Sequence, residues 1–346
     1  MQWKFGFYTA AAVLLAVAVA HYRPAITQSG QKTAVPPDNA ATNSLRSASG
    51  STFRVPSDPI AKHWSLIAYG DMRFTDPSNT EATNPKVRRW LVDQIAREHP
   101  DALLLSGDVP YNGNVANDYD VYREEAAPWR EAGIRVYPAL GNHELRGPEA
   151  LEPQNWWHAF PELKGRRWYS VEMANAYILT LDSNLSLDEG SRQRSWLEDQ
   201  LGHLPRETKF VFVSLHHPPV ADSIQGDSSH DVRANERQLA TLLEKTAAGS
   251  SAKFLVIAGH IHNYQRFLQN GVVYLVSGGG GAKPYPIART AADLYRDPAF
   301  PNYHYVKFVY DGKQLNATMY RVRYPEGATA EWEAKDTFTV TLNAEK

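Results

Sequence analysis

The side chains able to do chemistry in this chain recur just past the ends of apolar runs. Asp101 to Gly113 reads Asp-Ala-Leu-Leu-Leu-Ser-Gly-Asp-Val-Pro-Tyr-Asn-Gly. The run Ala102 to Leu105 predicts a buried strand, Gly107 breaks it, and Asp108 follows at the carboxyl end, where open α/β sheets place their ligand crevices. A carboxylate there can bridge two cations, because its two oxygens carry about four lone-pair sites. Tyr111, between Pro110 and Gly113, offers a phenol as a further oxygen donor. Taken alone, the stretch reads equally well as a capping Asp and a half-buried loop Tyr.

The same arrangement returns four more times. Trp64 to Tyr69 leads into Gly70-Asp71-Met72-Arg73, and Arg135 to Leu140 into Gly141-Asn142-His143-Glu144. Lys209 to Leu215 delivers His216-His217-Pro218-Pro219, and Lys253 to Ala258 ends in Gly259-His260-Ile261-His262-Asn263-Tyr264-Gln265-Arg266. Asn142 brings a neutral carbonyl oxygen, and the adjacent His143 can act as ligand or proton donor. In extended backbone alternate residues face one side, so His260 and His262 can chelate one site together. Each cluster alone passes for a turn or a satisfied loop residue. Five of them at strand ends point to one shared centre.

The elements that must position these groups are legible as well. Pro85 to Glu98 has helical spacing through Val87, Leu91 and Ile95, with Pro at the start where a helix tolerates it. Trp168 to Val171 and Ala176 to Leu181 predict strands, Ser191 to Leu201 and Asn235 to Ala247 helices, and Val272 to Ser277 a strand that stops at Gly278 to Gly281. That glycine run reads as a plain turn beside the crevice, ahead of a phosphate-cradling nest. Asp182-Ser183-Asn184 reads as a plain loop, and Trp156 to Ser170 as aromatic and irregular. Tyr305–Tyr310, Gln314–Arg323 and Thr337–Leu342 alternate in the β manner and predict antiparallel edge strands.

With 346 residues the chain can build one large α/β domain or two smaller ones. Its net charge of −2 and charged fraction of 21% carry no large basic block, so a nucleic-acid duplex is not an expected partner. There is no cysteine, which excludes disulfides, zinc–thiolate sites and Cys nucleophiles. Any metal must be held by His, Asp, Glu, Asn or Tyr, donors that suit Fe, Mn, Zn or Mg. Lys4, the apolar run Phe5 to Ala20 and Ala18-Val19-Ala20 predict a signal peptide over 1–20 and export to the periplasm or medium, with a retained membrane anchor as the alternative. Residues 21–58, rich in Ser, Thr, Asn, Gln, Ala and Pro, predict a flexible linker, and 59–346 the globular domain.

Taken together, Asp71, Gly107-Asp108, Gly141-Asn142-His143-Glu144, His216 and Gly259-His260-Ile261-His262 resemble the calcineurin-like metallophosphoesterase superfamily over roughly Ser65 to Ser277. The family's first motif is Asp-x-His, and here Arg73 stands in place of that His. The purple acid phosphatase branch is similar in supplying a Tyr donor, matched by Gly107-Asp-Val-Pro-Tyr111. It is similar too in Val213-Ser-Leu-His216 and Gly259-His-Ile-His-Asn-Tyr-Gln-Arg266, although that branch has Gly at the position of Arg73. The resemblance implies a four-layer αββα sandwich of two mixed β-sheets flanked by helices. It implies that Asp71, Tyr111 and His262 hold Fe(III), that Asp108 bridges, and that Asn142, His216 and His260 hold a divalent Fe, Zn or Mn. The activity implied is hydrolysis of small phosphate monoesters by a bimetal-activated hydroxide. His143 would protonate the leaving group or steady its charge, His217 would assist, and Arg73 would either neutralise substrate phosphate or orient a carboxylate. Glu144, Tyr264 and Arg266 read as support. A phosphodiesterase or nucleotidase on the same site is the alternative within the class; an exported metal- or phosphate-binding protein is the alternative outside it.

Overall fold

Alternation along the central strands dictates two sheets packed face to face. In β7 (Phe210–Ser214), Phe210 and Phe212 meet Trp64 of β2 (Trp64–Tyr69) at 6.0 and 6.2 Å, while Val211 and Val213 point the other way into a second apolar cluster. In β2, Tyr69 turns away from that interface to meet Trp129 edge-on at 6.3 Å. The computed structural model describes residues 52–55, 62–147 and 153–342.

The first sheet has seven strands in the order β1 (Thr52–Val55), β5 (Tyr169–Met173), β6 (Ala176–Thr180), β7, β8 (Lys253–Ala258), β10 (Val272–Ser277) and β9 (Tyr264–Gln269). The second has six, in the order β13 (Glu331–Val340), β12 (Leu315–Arg323), β11 (His304–Tyr310), β2, β3 (Ala102–Leu105) and β4 (Arg135–Pro138). Both are mixed: β2, β3 and β4 run parallel, as do β6, β7, β8 and β10, with antiparallel strands added outside them. Helix α1 (Pro85–Glu98) and the short α3 (Ala127–Glu131), with α2 (Ala116–Glu125) and α4 (Gln154–Ala159), flank the six-stranded sheet. Helices α5 (Arg192–Gly202) and α6 (Ala234–Ala248) bury Leu197, Leu239 and Leu243 against the outer face of the other. The result is the expected αββα sandwich. Helix α1 starts as its sequence requires, with Pro85 in the first turn and Asn84 Oδ1 accepting from Val87 N.

Three expectations need correction. The linker assigned to 21–58 does not run to its end: Thr52–Val55 is a strand parallel to β5, because Phe53 packs edge-on against Tyr169 at 5.5 Å and Val55 is buried. The rest of that linker described by sequence, and the signal segment 1–20, lie outside the described residues. The C-terminal strands are not all edge strands. β11 lies inside the sheet, pairing with β2 on one side and β12 on the other, because Tyr305, Val306 and Phe308 are buried on both faces; only β13 is at the edge. Finally, Tyr264 to Gln269 is a strand of its own, forming a hairpin with β10 about Asn270-Gly271, both at positive φ (46° and 81°).

A polar key joins the two sheets behind the His-x-His segment. Asp336 of β13 accepts from Arg266 Nε (2.7 Å) and Nη2 (3.1 Å) and from the Tyr264 hydroxyl (2.8 Å). Arg266 and Tyr264 therefore act as the support expected of them. Among the described residues no helix is long and apolar enough to cross a membrane.

Candidate metal centre

All five polar clusters emerge at the same rim, where the parallel strands of both sheets end. The backbone there is held in conformations L-residues seldom adopt: Asp71, Arg73, Asp108 and His260 have φ of 64°, 51°, 54° and 70°. Such strain persists where the surroundings over-determine it, which is a mark of a working site. Bonds between the loops fix it, with Asp71 N donating to Gly107 O (3.1 Å), Gly70 N to Ser277 O (2.8 Å) and Gly259 N to His216 O (3.0 Å).

Asn142 Oδ1 lies 2.9 Å from His216 Nε2 and 3.2 Å from His260 Nδ1, and those two ring nitrogens are 3.2 Å apart. Asp108 Oδ1 is 3.3 Å from His216 Nε2, joining this group to its neighbour. On the other side, Asp71 Oδ1 is 3.4 Å from His262 Nε2. Ligand atoms of Asp71, Asp108 and His216 lie within 4.8 Å of one another, as do those of His216, His217 and His260. Six of the seven sequence-predicted metal ligands thus converge.

The seventh, Tyr111, stands beside them. Its carbonyl accepts from His143 Nδ1 (2.6 Å), and its half-buried ring packs against His143 and the Arg146 guanidinium at 5.6 and 5.4 Å. His143 points its other nitrogen at Asp108 Oδ2, 3.7 Å away. Arg73 Nη2 is 3.2 Å from the same oxygen, so it pairs with Asp108.

The donor set fits cations. His262 Nδ1 is bound to Lys283 O at 2.7 Å, so the neutral ring donates there and turns its Nε2 lone pair toward Asp71 Oδ1. Both atoms are buried and without a hydrogen-bond partner among the described residues. Two buried acceptors facing each other, with no protein donor between them among the described residues, form a place that suits a cation. His216 repeats the arrangement: Nδ1 donates to Ser106 O (2.9 Å), leaving Nε2 toward the oxygens of Asn142 and Asp108. Burial presses the His262 ring down to about 3 and holds His260 well below the usual range, so both stay neutral and free to ligate; it lowers the His143 ring to about 3 as well. Burial also lifts the Asp71 carboxyl to about 7, with the Asp108 charge adding to the rise. Asp108 is held well below the carboxylate range: burial opposes this, and the Arg73 guanidinium and the bond from His143 N are among the effects that outweigh it.

Supporting contacts were only partly legible. Glu144 accepts from the amides of Asp108 (3.0 Å), Val109 (2.8 Å) and Gly141 (2.8 Å), bracing two of the loops at once. The stretch Asp182-Ser183-Asn184 is not a plain loop. Asp182 pairs with Arg167 at 2.6 Å, Ser183 Oγ meets His217 Nδ1 at 2.8 Å, and Asn184 Nδ2 donates to Gly141 O at 3.2 Å. Two residues with no motif to reveal them also line the site: Tyr285 stacks on His262 at 4.4 Å, and His230 lies 4.6 Å from His260. Behind the rim, Gly278 N and Gly280 N donate to Asn263 O and Gly70 O, so the glycine run is a close backbone approach, the plain turn of the sequence reading.

Gly279 in that run lies against His304, a buried ring whose Nδ1 donates to Asn302 O and whose Nε2 faces Ser277 Oγ. Burial lowers this ring from 6.5 to about 4. The unfolded chain therefore binds a proton there at a higher pH than the folded one. Stability contributed by the neutral ring is complete above pH 6.5 and is lost as pH falls toward 4, about 3 kcal/mol in all. Urea unfolding of His304→Gln is expected to lose that part of the acid dependence; an unchanged slope between these pH values would remove His304 from the account.

With this geometry in hand, comparison with known proteins is decisive at the level of family. The family model described as calcineurin-like phosphoesterase matches residues 69–264, more than half of the chain. The chain belongs to the calcineurin-like phosphoesterase family. Within it the likeness runs to the purple acid phosphatase branch. The chain is 26% identical over 226 residues to probable purple acid phosphatase 20 of Arabidopsis thaliana, covering 60% of this chain and 50% of that protein. It is 27% identical over 205 residues to a probable glycerophosphodiester phosphodiesterase of Arcobacter nitrofigilis, covering 57% and 67%. The purple acid phosphatase PPD1 from yellow lupin seeds has the same fold, with a TM-score of 0.63 and 16% identity over 84% of this chain and 55% of that one. The phosphoesterase chain spans about half the length of the plant relative it matches.

Proposed function

We propose that this phosphoesterase hydrolyses phosphate monoesters of small molecules at a dinuclear metal centre. The observation that carries the reading is the pair of buried acceptors, Asp71 Oδ1 and His262 Nε2, facing each other at 3.4 Å beside the Asn142–His216–His260 group. Asp71, His262 and Tyr111 would hold Fe(III), Asn142, His216 and His260 a divalent Fe, Zn or Mn, and Asp108 would be shared. Such a pair of cations, when bound, polarises the phosphoryl oxygens and makes water acidic enough to attack phosphorus near neutral pH.

The chain's own residues supply the rest. Arg73 keeps a fixed positive charge beside Asp108, and a dianionic monoester gains more from it than a monoanionic diester, which favours monoesters. His143, anchored through Nδ1 on Tyr111 O, presents Nε2 to the centre, where it can donate to the departing alkoxide once the substrate's negative charge raises its basicity. His217, held by Ser183 and 4.4 Å from the His260 ring, limits how that ligand can turn. The phosphodiesterase reading rests on the Arcobacter relative's name. Export to the periplasm or medium, with 1–20 removed or kept as an anchor, belongs to this proposal too.

Elemental measurement should find close to two metal ions per chain, and the protein should cleave aryl phosphate monoesters faster than the matching diesters. Metal-loaded protein inert toward both would overturn the reading, and a preference for diesters would move it to the alternative. Tyr111→Phe is expected to abolish any visible tyrosinate-to-iron absorption; a band that survives the change would exclude Tyr111 as ligand.

A further inference from the structure

Arg73 brings to the centre a charge of the same sign as the cations that the centre suits. Its Nη2 stands 3.2 Å from Asp108 Oδ2, and its side chain is only 14% exposed. Asp108 Oδ1 is turned the other way, toward His216 Nε2 at 3.3 Å, and accepts from His143 N at 2.9 Å. The carboxylate is thus divided. One oxygen serves the Asn142–His216–His260 group, and the other already faces a positive charge built into the chain. That charge also reaches the Asp71–His262 side. Burial lowers the His262 ring and the Arg73 charge lowers it further; at Tyr285, stacked on that ring, burial raises the hydroxyl and the same charge opposes the rise.

The base of the Arg73 side chain is pinned. Arg73 N donates to Asp108 O (3.0 Å), and Arg73 O accepts from Arg88 Nη1 (3.2 Å). Arg88 is fully buried and is itself forked onto Glu125 at 2.8 and 2.7 Å. The Arg73 backbone, at φ 51°, therefore has no room to retreat from the centre. The tip is held differently: Nε is buried without a hydrogen-bond partner among the described residues, so attraction to Asp108 is what keeps the guanidinium in place. A cation brought to the same carboxylate gains from its charge and is repelled by the guanidinium, and both effects are strong where water is excluded.

We infer that Arg73 competes for Asp108 with the cation of the Asp71–His262 position, so that the two metal positions load in order and with unequal strength. The Asn142–His216–His260 position, served by the oxygen that Arg73 leaves alone, takes its ion first. The Asp71–His262 position takes its ion second, at the expense of the Arg73–Asp108 pair, and Arg73 sets its affinity. Hydrolysis as proposed above needs both ions. Turnover therefore follows the free metal concentration over the range in which the second ion binds.

The inference rests on the two-metal reading, and metal binding tests it without turnover. Calorimetric titration of the metal-stripped full chain with Zn²⁺ alone should show two steps at least about tenfold apart. Arg73→Gln removes the charge at the same strained backbone position; it should tighten the weaker step about tenfold or more and leave the stronger within about twofold. Arg73→Lys, which keeps the charge, should titrate like the wild type. Melting curves separate competition from a merely structural role. In chelator Arg73→Gln should melt below the wild type, and at saturating Zn²⁺ the gap should close. A gap of equal size in both conditions would mean that Arg73 only holds the fold, and would overturn the inference. Two steps that Arg73→Gln leaves unmoved would overturn it while the two-metal reading stands. One step in the wild type and two in Arg73→Gln would support it. A single step in both proteins would overturn the two-metal reading and the inference with it.

Discussion

Asp108→Asn is expected to lower kcat by about a thousandfold or more, some 4 kcal/mol of barrier, and to leave close to one metal ion per chain. The side chain sits past the end of β3 with both oxygens committed. Oδ1 accepts from His143 N at 2.9 Å and lies 3.3 Å from His216 Nε2, while Oδ2 faces Arg73 at 3.2 Å. Asparagine has the same shape and can keep the bond from His143 N. What it loses is the negative charge that two cations would share, and its amide then confronts the Arg73 guanidinium, donor against donor. The fold should survive, because the Glu144 brace holds the Asp108 backbone amide and not its side chain. A melting temperature close to wild type, with activity and half the metal gone, is the combined signature. Activity within tenfold of wild type would show that Asp108 is not the shared ligand.

The rim of the sheets was legible because each ligand-bearing loop announces itself locally. An apolar run of four to six residues stops, a glycine or another small residue follows, and a polar cluster comes next. Asp71, Asp108, Asn142 and the His260–His262 pair each follow a glycine in this way, and His216 follows the β7 run directly. The Asn270-Gly271 turn is local in the same sense, although the sequence reading passed over it, and its φ values of 46° and 81° are those such a dipeptide favours. The strand before it, Tyr264 to Gln269, was hidden because its first residues belong to the His-x-His motif and its burial is irregular.

Position within a sheet is a different kind of information. Nothing in Tyr305–Tyr310 says that it pairs with Ser65 to Ala68, more than two hundred residues earlier, so β11 passed for an edge strand. Thr52–Val55 has only four residues and owes its place to Tyr169. Ser183, His230 and Tyr285 lie in loops of ordinary composition. Only the folded chain brings them to His217, His260 and His262.

Those repeated glycines lead to the second large effect, in a residue that carries no chemistry of its own. A Cβ built on Gly141 would lie 2.3 Å from Asp108 Oδ1, 2.5 Å from Asp108 N and 2.9 Å from Glu144 Oε2. Two of these three atoms cannot rotate away: one is backbone, and the Glu144 oxygen is bound to the amides of Asp108 and Gly141. Gly141→Ala must therefore displace the Asp108 loop or break the Glu144 brace, and either moves the shared carboxylate relative to Asn142, one residue further on. Metal affinity should fall about a hundredfold, the scale on which loss of ligand-orienting contacts acts, and kcat should fall with it. Gly133→Ala is the control, since nothing lies within 4 Å of its Cβ although its φ of 68° costs some stability. Equal metal affinity in the two variants would mean that the close approach at Gly141 does not govern the centre. A loss confined to Gly141→Ala would show that a methyl group, bearing no charge and no donor, disables the site by steric displacement alone.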